Sequence, residues 1–400
     1  MNLFSDDLRR NPYPLYEQLR GASPVLEEPR SGLWMIFDYE GVKRALNDYA
    51  VFSSCASTVA NHSTPQWLLF FDPPYHTKLR GIISKTFTPK AIANLESRIR
   101  ELSRELLDKT VERGQMDLAQ EYSVPLPMMV IAGMIGIPIE DWARFKRWSD
   151  GILKLSYAVR GISPAEQAMA ASNEFTAVHE EMKAYMPELI EQRRSAPKDD
   201  LLSRLVAAEV DGEGLSEKEM LGFLQLLIVG GQETTTNLIN NAILCFVENP
   251  DQLGRLRKAP EFLPIAIEEV LRYRSPIQFV FRATKQEVEM HGQVIPSGKL
   301  VLIMLGSANR DPRQFRDPNQ FDISRDPNPH LAFGHGIHFC LGAVLSRLEA
   351  RIALSDILQR VRGIELASNQ PWEPRKALHV HGPTRLPIRF EVGSRVGAAI

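Results

Sequence analysis

Ten residues near one end constrain this chain more than any others: Phe333-Gly334-His335-Gly336-Ile337-His338-Phe339-Cys340-Leu341-Gly342. Two glycines permit a tight turn whose backbone N–H groups can point at one spot. The stretch that follows predicts a helix over 341–360, so Cys340 stands at a helix start, where free N–H groups favour an anionic sulfur. Gly342 leaves space for something flat to lie against that helix. A lone cysteine is more often a buried, inert residue, and nothing beside Cys340 supplies a nucleophilic triad. Inert thiol, nucleophile and metal ligand all remain open on this segment alone.

The rest of the chain narrows the choice. Over 400 residues no linker divides it and no segment repeats, so 1–400 reads as a single domain. With 44% hydrophobic residues it can bury a large core. A net charge of -2 without any basic stripe argues against a nucleic-acid binder. The three cysteines, Cys55, Cys245 and Cys340, make no disulfide framework, which suggests a reducing cytoplasm. The first twelve residues carry Asp6, Asp7, Arg9 and Arg10 and lack a signal peptide's apolar run. Two apolar stretches are read as buried rather than membrane-spanning. One, 122–139, holds Pro125, Pro127 and Pro138; the other, 220–247, holds Gln225, Gln232, Glu233 and several threonines and asparagines.

Alternation over 24–37 around Ser31-Gly32 predicts a hairpin. Ile92, Leu95, Ile99, Leu102 and Leu106 predict one amphipathic helix, with Gly114 ending the run. A long helix is expected after Asp211-Gly212, begun by the capping box Ser216/Glu219 and stopped at Asn249 by Pro250. Further helices are expected at 261–274 and 341–360, strand pairs over 288–305, an irregular course over 309–329 and more strand over 378–390. The balance is mainly α with a small β-sheet region.

Phe333-x-x-Gly336-x-His338-x-Cys340-x-Gly342 resembles the haem-binding signature of the cytochrome P-450 family. In that family the cysteine thiolate is the axial ligand of haem iron, and its electron density favours O–O cleavage. Other segments resemble the family too. Glu269-Val270-Leu271-Arg272, by itself an ordinary surface pair, looks like the family's Glu-x-x-Arg, which with Arg325 implies a structural lock under the cysteine loop. Gly230-Gly231-Gln232-Glu233-Thr234 lies in mid-helix, where each glycine costs about 1 kcal/mol against alanine. Close helix packing would explain it. The resemblance instead implies room at Gly230 for the cofactor side, and proton delivery by Glu233 and Thr234. His76, Arg80, Arg282 and His338 match positions that hold the haem carboxylates, with Phe333 and Gly342 beside the ring. The implied fold sandwiches haem b (iron protoporphyrin IX) between the long central helix and the cysteine helix.

The implied activity is a haem-thiolate monooxygenase that hydroxylates an apolar small molecule with O2. Two electrons would come from a separate ferredoxin with its reductase; a monomer without membrane or nucleic-acid partners is expected. The resemblance lines the pocket with the 67–71 loop, Leu226, Val229, Ile277, Gln278, Val280 and the 378–381 turn, with Gln278 as a polar anchor. A terpenoid, steroid, fatty acid or polyketide would fit such a lining. Three other readings exist: a peroxide-driven peroxygenase, a haem sensor or carrier without turnover, and a colourless cysteine hydrolase. Arg347 and Arg351 could dock an acidic redox partner, and His379 with His381 could bind a metal.

Overall fold

The computed structural model describes residues 5–29, 31–55, 67–155, 165–210 and 212–393. Its axis is the helix Glu217–Glu248. At 1.5 Å per residue that is about 48 Å of helix. Both halves of the capping box form: Ser216 Oγ accepts the Glu219 N–H at 3.3 Å, and the Glu219 carboxylate accepts the Ser216 N–H at 2.7 Å. Asn249 ends the helix, and Pro250 opens a new one, Pro250–Lys258. Asp211, part of the expected start signal, lies outside the described residues.

The central helix is buried on nearly all sides, which is why its apolar residues show no single stripe. Around it pack Pro125–Ile135, Trp142–Leu155, Ala165–Ser195 and the cysteine helix Ala343–Arg360. Gln225, Gln232, Asn237, Asn240 and Asn241 are buried within this bundle. Among the described residues no helix is long and apolar enough to cross a membrane.

The amphipathic run after Pro89 is two helices rather than one. Pro89–Ala93, capped by Thr88, is followed by Glu96–Asp108. The break falls at Asn94, whose short amide side chain competes with the backbone for hydrogen bonds and favours turns. Ile92, Ile99, Leu102 and Leu106 nevertheless keep a common buried face. Gly114, in the left-handed conformation at φ 65°, ends a short 3₁₀ turn instead of the helix.

One five-stranded sheet carries part of the site. Its order is Val25–Glu28, Leu33–Ile36, Leu300–Ile303, Val280–Thr284 and Phe52–Ser53. The expected hairpin pairs Val25 with Ile36. Arg282 is set opposite Val301 by the antiparallel pairing of the third and fourth strands. His291-Gly292, at φ 52° and 74°, supplies the turn between Val288–Met290 and Gln293–Ile295. Past Asn309 the chain winds without helix or strand as far as the cysteine loop. The tail is less regular than its alternation suggests. Pro387–Val392 pairs as a strand, but 378–386 makes only the isolated bridges Ile277↔Val380 and Pro374↔Pro383. Pro383 lacks the N–H a ladder needs.

Candidate functional site

The cysteine loop turns on Gly334 (φ 75°) and Gly336 (φ 70°). A side chain at 336 would stand 3.0 Å from Asn47 Oδ1 and 3.1 Å from the Leu46 carbonyl, so the close approach as well as the dihedral requires glycine. The Cys340 N–H donates to the Phe333 carbonyl at 2.9 Å, closing the loop. The helix itself begins at Ala343 with Gly342 as its cap, three residues later than Cys340. Burial pushes the Cys340 thiol up, against the Gly342 N–H and the Arg80 and Arg347 guanidinium groups, which pull it down. A thiol in such a place is inert until a cation claims the thiolate. A Cβ on Gly342 would meet nothing within 4 Å. The same holds for Gly230 on the central helix.

Two guanidinium groups and two imidazoles gather beside this loop; burial, with nearby Arg80 and Arg282, lowers His76 and brings His338 down to about 3. His76 and Arg80 share a face of the helix Tyr75–Ser84. The His76 and His338 rings are 4.2 Å apart. His338 Nε2 lies 3.0 Å from Ser54 Oγ. Arg80 donates to the Phe339 carbonyl at 2.7 Å, and the buried Arg282 donates only to its neighbour's carbonyl, Phe281 O, at 2.7 Å. Burial lowers Arg282 to about 10, with Asp72 opposing. Asp72 cannot neutralise it by contact, being bound to Lys285 at 2.7 Å and to Ser53 and Ser54. His76 Nε2 is buried with no partner. Among the described residues no carboxylate pairs with Arg80 or Arg282. A buried guanidinium left this way is costly unless an anion meets it. A flat group carrying carboxylates and a thiolate-seeking metal fits this donor set on each count, and haem is such a group.

On the facing helix the two glycines divide the alternatives that the sequence left open. Gly231 is a packing residue, since a Cβ there would come within 2.6 Å of Ile131 Cδ1. Gly230 instead faces open space, along with the half-buried Leu226 and Thr234 one turn to either side. Thr234 Oγ1 donates to the Gly230 carbonyl at 2.6 Å. Glu233 is buried, and its Oε1 has no partner. Burial pushes its pKa up to about 7, with Arg375 opposing.

That shift has a measurable sign. A carboxyl raised in the folded state stabilises fully below its unfolded pKa and loses that contribution as pH rises through about 7. Glu233→Gln should therefore gain on the wild type between pH 5 and 8, by up to about 3 kcal/mol. Urea midpoints at the two pH values check this; parallel curves would contradict it.

The lock forms as the resemblance implies. Arg272 Nη2 and Nε bind the Glu269 carboxylate at 2.7 and 2.8 Å, and Arg325 Nε adds bonds of 3.1 and 3.2 Å. Glu269 and Arg272 are wholly buried. Arg272 also holds the Asn309, Pro318 and Gln320 carbonyls, and Asn328 donates to Glu269 at 3.3 Å. The irregular stretch before the cysteine loop is thus pinned to one helix.

Among the expected pocket residues, Leu226, Val229, Ile277 and Val280 are half-buried, and Val380 is bridged to Ile277. Gln278 is a correction. It is buried, donating to the Ser275 carbonyl at 2.7 Å and reaching Tyr13. Trp67 is likewise buried, its Nε1 donating to Gln225 at 3.3 Å. His379 and His381 make no metal pair. His381 Nε2 lies 3.1 Å from the Arg10 carbonyl and its ring packs between Tyr13 and Trp372, while His379 lies by Phe279. No group of three metal-ligating side chains occurs among the described residues. Arg347 and Arg351 are engaged too, Arg347 by a fork of two 2.7 Å bonds to Glu268 and Arg351 by Glu96 at 3.3 Å. Residues the sequence did not flag include Ser54, against His338, and Arg375, beside Glu233; neither sits in a motif.

The sequence model of the family described as Cytochrome P450 matches residues 29–384. Cytochrome P450 109 of Bacillus spizizenii is 39% identical over 389 residues, covering 97% of this chain and 94% of that protein. Cytochrome P450 monooxygenase PikC of Streptomyces venezuelae is 36% identical over 412 residues, covering 99% and 95%. Among solved structures, that of CYP109E1 from Bacillus megaterium in complex with testosterone superposes with a TM-score of 0.86 at 38% identity, covering 95% of this chain and 99% of that one. The half-buried Cys340, the uncompensated guanidinium groups and these full-length matches agree: the chain belongs to the cytochrome P450 family, oxidoreductases that use a haem iron to put oxygen from O2 into a small molecule.

Proposed function

We propose that this protein, one unit over 1–400, binds haem b through Cys340 and hydroxylates an apolar small molecule of steroid or terpenoid size. The observation that carries the reading is the convergence of the half-buried Cys340 with Arg282 and His76, which lack an anionic partner, beside the open faces of Gly230 and Gly342. Bound haem supplies the O2 activation. His76, Arg80, Arg282 and His338 hold its carboxylates, and Phe333, whose carbonyl receives the Cys340 N–H, keeps the sulfur in register. Leu226, Val229, Ile277 and Val280 exclude water and orient an apolar substrate. Glu233, its pKa raised by burial, and Thr234 supply protons. The testosterone bound by the CYP109E1 relative supports a lipophile of that size.

Electrons come from a separate protein, which we read as a ferredoxin served by its reductase. The three cysteines are single and apart, one exposed and one buried besides Cys340, so they offer no electron relay of their own. A cytoplasmic monomer is the setting we infer. The acid-threonine pair favours this cycle over direct use of peroxide, which needs no proton delivery. Thr234→Ala should keep consuming NADH but divert most of it from product to hydrogen peroxide. Product-to-NADH ratios in the reconstituted system test this, and unchanged coupling would remove Thr234 from proton delivery. Titrating the haem spectrum with testosterone and a terpenoid panel tests the substrate class; no shift with any of them would reject it.

A further inference from the structure

Glu233 opens a second, buried face of the central helix. Asn237, Asn240 and Asn241 continue it at helical spacing, and all three are buried. Both side-chain polar atoms of Asn237 and Asn240, and Oδ1 of Asn241, have no partner. Asn241 Nδ2 donates to the Arg274 and His381 carbonyls, each at 3.0 Å. The segment across from it matches. Nε and Nη2 of Arg375, Nδ1 of His381 and Nε and Nη1 of Arg274 are buried and unpartnered. Gly382 presses against the Asn237 side chain so closely that a Cβ would overlap it, and its carbonyl accepts the Arg375 N–H at 3.0 Å.

Native proteins leave few buried polar groups unpaired, and clusters of them are met by ordered water. The helix-borne orphans at Glu233, Asn237 and Asn241 share one face of the helix. From Glu233 to Asn241 the helix rises about 12 Å. At the far end Arg10 donates to the Trp372 carbonyl at 3.1 Å and Arg9 to the Arg375 carbonyl, close to the exposed Glu373 and Lys376. His381 gives the file a direction. Its Nε2 faces a carbonyl and so carries the proton, leaving Nδ1 as an inward lone pair. The charged or titratable groups around the file are Arg375, Arg274, tied to Glu248 at 2.7 Å, Arg310 over the Tyr13 ring, Arg10, and His381, kept neutral by burial.

We propose that protons reach Glu233 along this file, entering beside Arg10 and Trp372 and passing through water held by His381, Arg375, Asn241 and Asn237. Each hop breaks one O–H bond and forms the next, so the net change is one proton from solvent to the Glu233 carboxylate. Arg375 has a second effect, since its charge opposes the burial that would otherwise keep Glu233 permanently protonated. The proposal rests on Glu233 being the site's proton donor, as read above.

The test uses the haem-loaded protein with Asn237→Leu and Arg375→Met. The readouts are the hydrogen–deuterium exchange rate of the Glu233 carboxylic acid by difference infrared, its band identified by loss in Glu233→Gln, and the solvent isotope effect on turnover. Both variants should exchange about a hundredfold more slowly, the lower end of what a positioned proton carrier contributes, and raise the isotope effect. Arg375→Met, outside the central helix, decides the matter if Asn237→Leu fails to take up haem. Wild-type exchange and isotope effect in Arg375→Met would overturn the route, while loss of coupling in Glu233→Gln alone would leave the acid role standing. Normal coupling in Glu233→Gln would instead sink the reading on which the route depends.

Discussion

Cys340→His is expected to give a folded protein that takes up haem yet forms no hydroxylated product. The loop that presents residue 340 is set by Gly334, Gly336 and the bond from its own N–H to Phe333, none of which uses the side chain. Imidazole can still ligate iron. It brings no anionic sulfur, and the electron push that favours O–O cleavage goes with it. The reduced variant with carbon monoxide should lack the strongly red-shifted band peculiar to thiolate-bound haem. Cys55→Ser, changing an exposed thiol elsewhere, should leave band and turnover intact. If Cys340→His keeps both, the sulfur is not the ligand.

The second large effect is on stability. Glu269→Ala removes the one carboxylate shared by Arg272, Arg325, Asn328 and the Asp322 N–H. Arg272 would be left fully buried and charged with only carbonyls to meet it. Breaking a buried pair by removing one partner costs about 3–5 kcal/mol, far above the worth of the same pair at a surface. The loss should appear as a lower urea midpoint and as faster haem release, because the stretch that Arg272 and Arg325 hold leads directly into the cysteine loop. A midpoint within error of the wild type would show that the lock carries no weight. Glu268, one residue before, is a contrast. Burial raises it, but bonds from Arg347 and His330 override and bring it to about 2, so its loss frees the more exposed Arg347 and should cost less.

The comparison of sequence with structure separates two kinds of signal. The central helix was legible because its ends are local: a capping box at Ser216 and Glu219 and a proline after Asn249 act within four residues. The cysteine loop and the lock were legible because they belong to motifs that the chain repeats residue for residue. What failed depended on side-chain partners. Gln278 and Phe279 are both buried between the half-buried Ile277 and Val280, and Gln278 is held by the Ser275 carbonyl, a bond the sequence does not signal. The pairing of Arg347 with Glu268 and of Arg351 with Glu96 could not be read ahead, because the partners are distant in sequence. The break at Asn94 interrupts a helix without disturbing its apolar spacing, so periodicity missed it. Ser54 and Arg375 had no sequence signal at all, since each matters through what tertiary packing places beside it.

The most direct measurement is the absorption spectrum of the wild-type protein, purified with haem, reduced and exposed to carbon monoxide. Haem held by the Cys340 sulfur would give the long-wavelength Soret band with carbon monoxide, and that band should vanish in Cys340→His. A folded, haem-saturated wild type that shows only the short-wavelength band of nitrogen-ligated haem would contradict the account at its root.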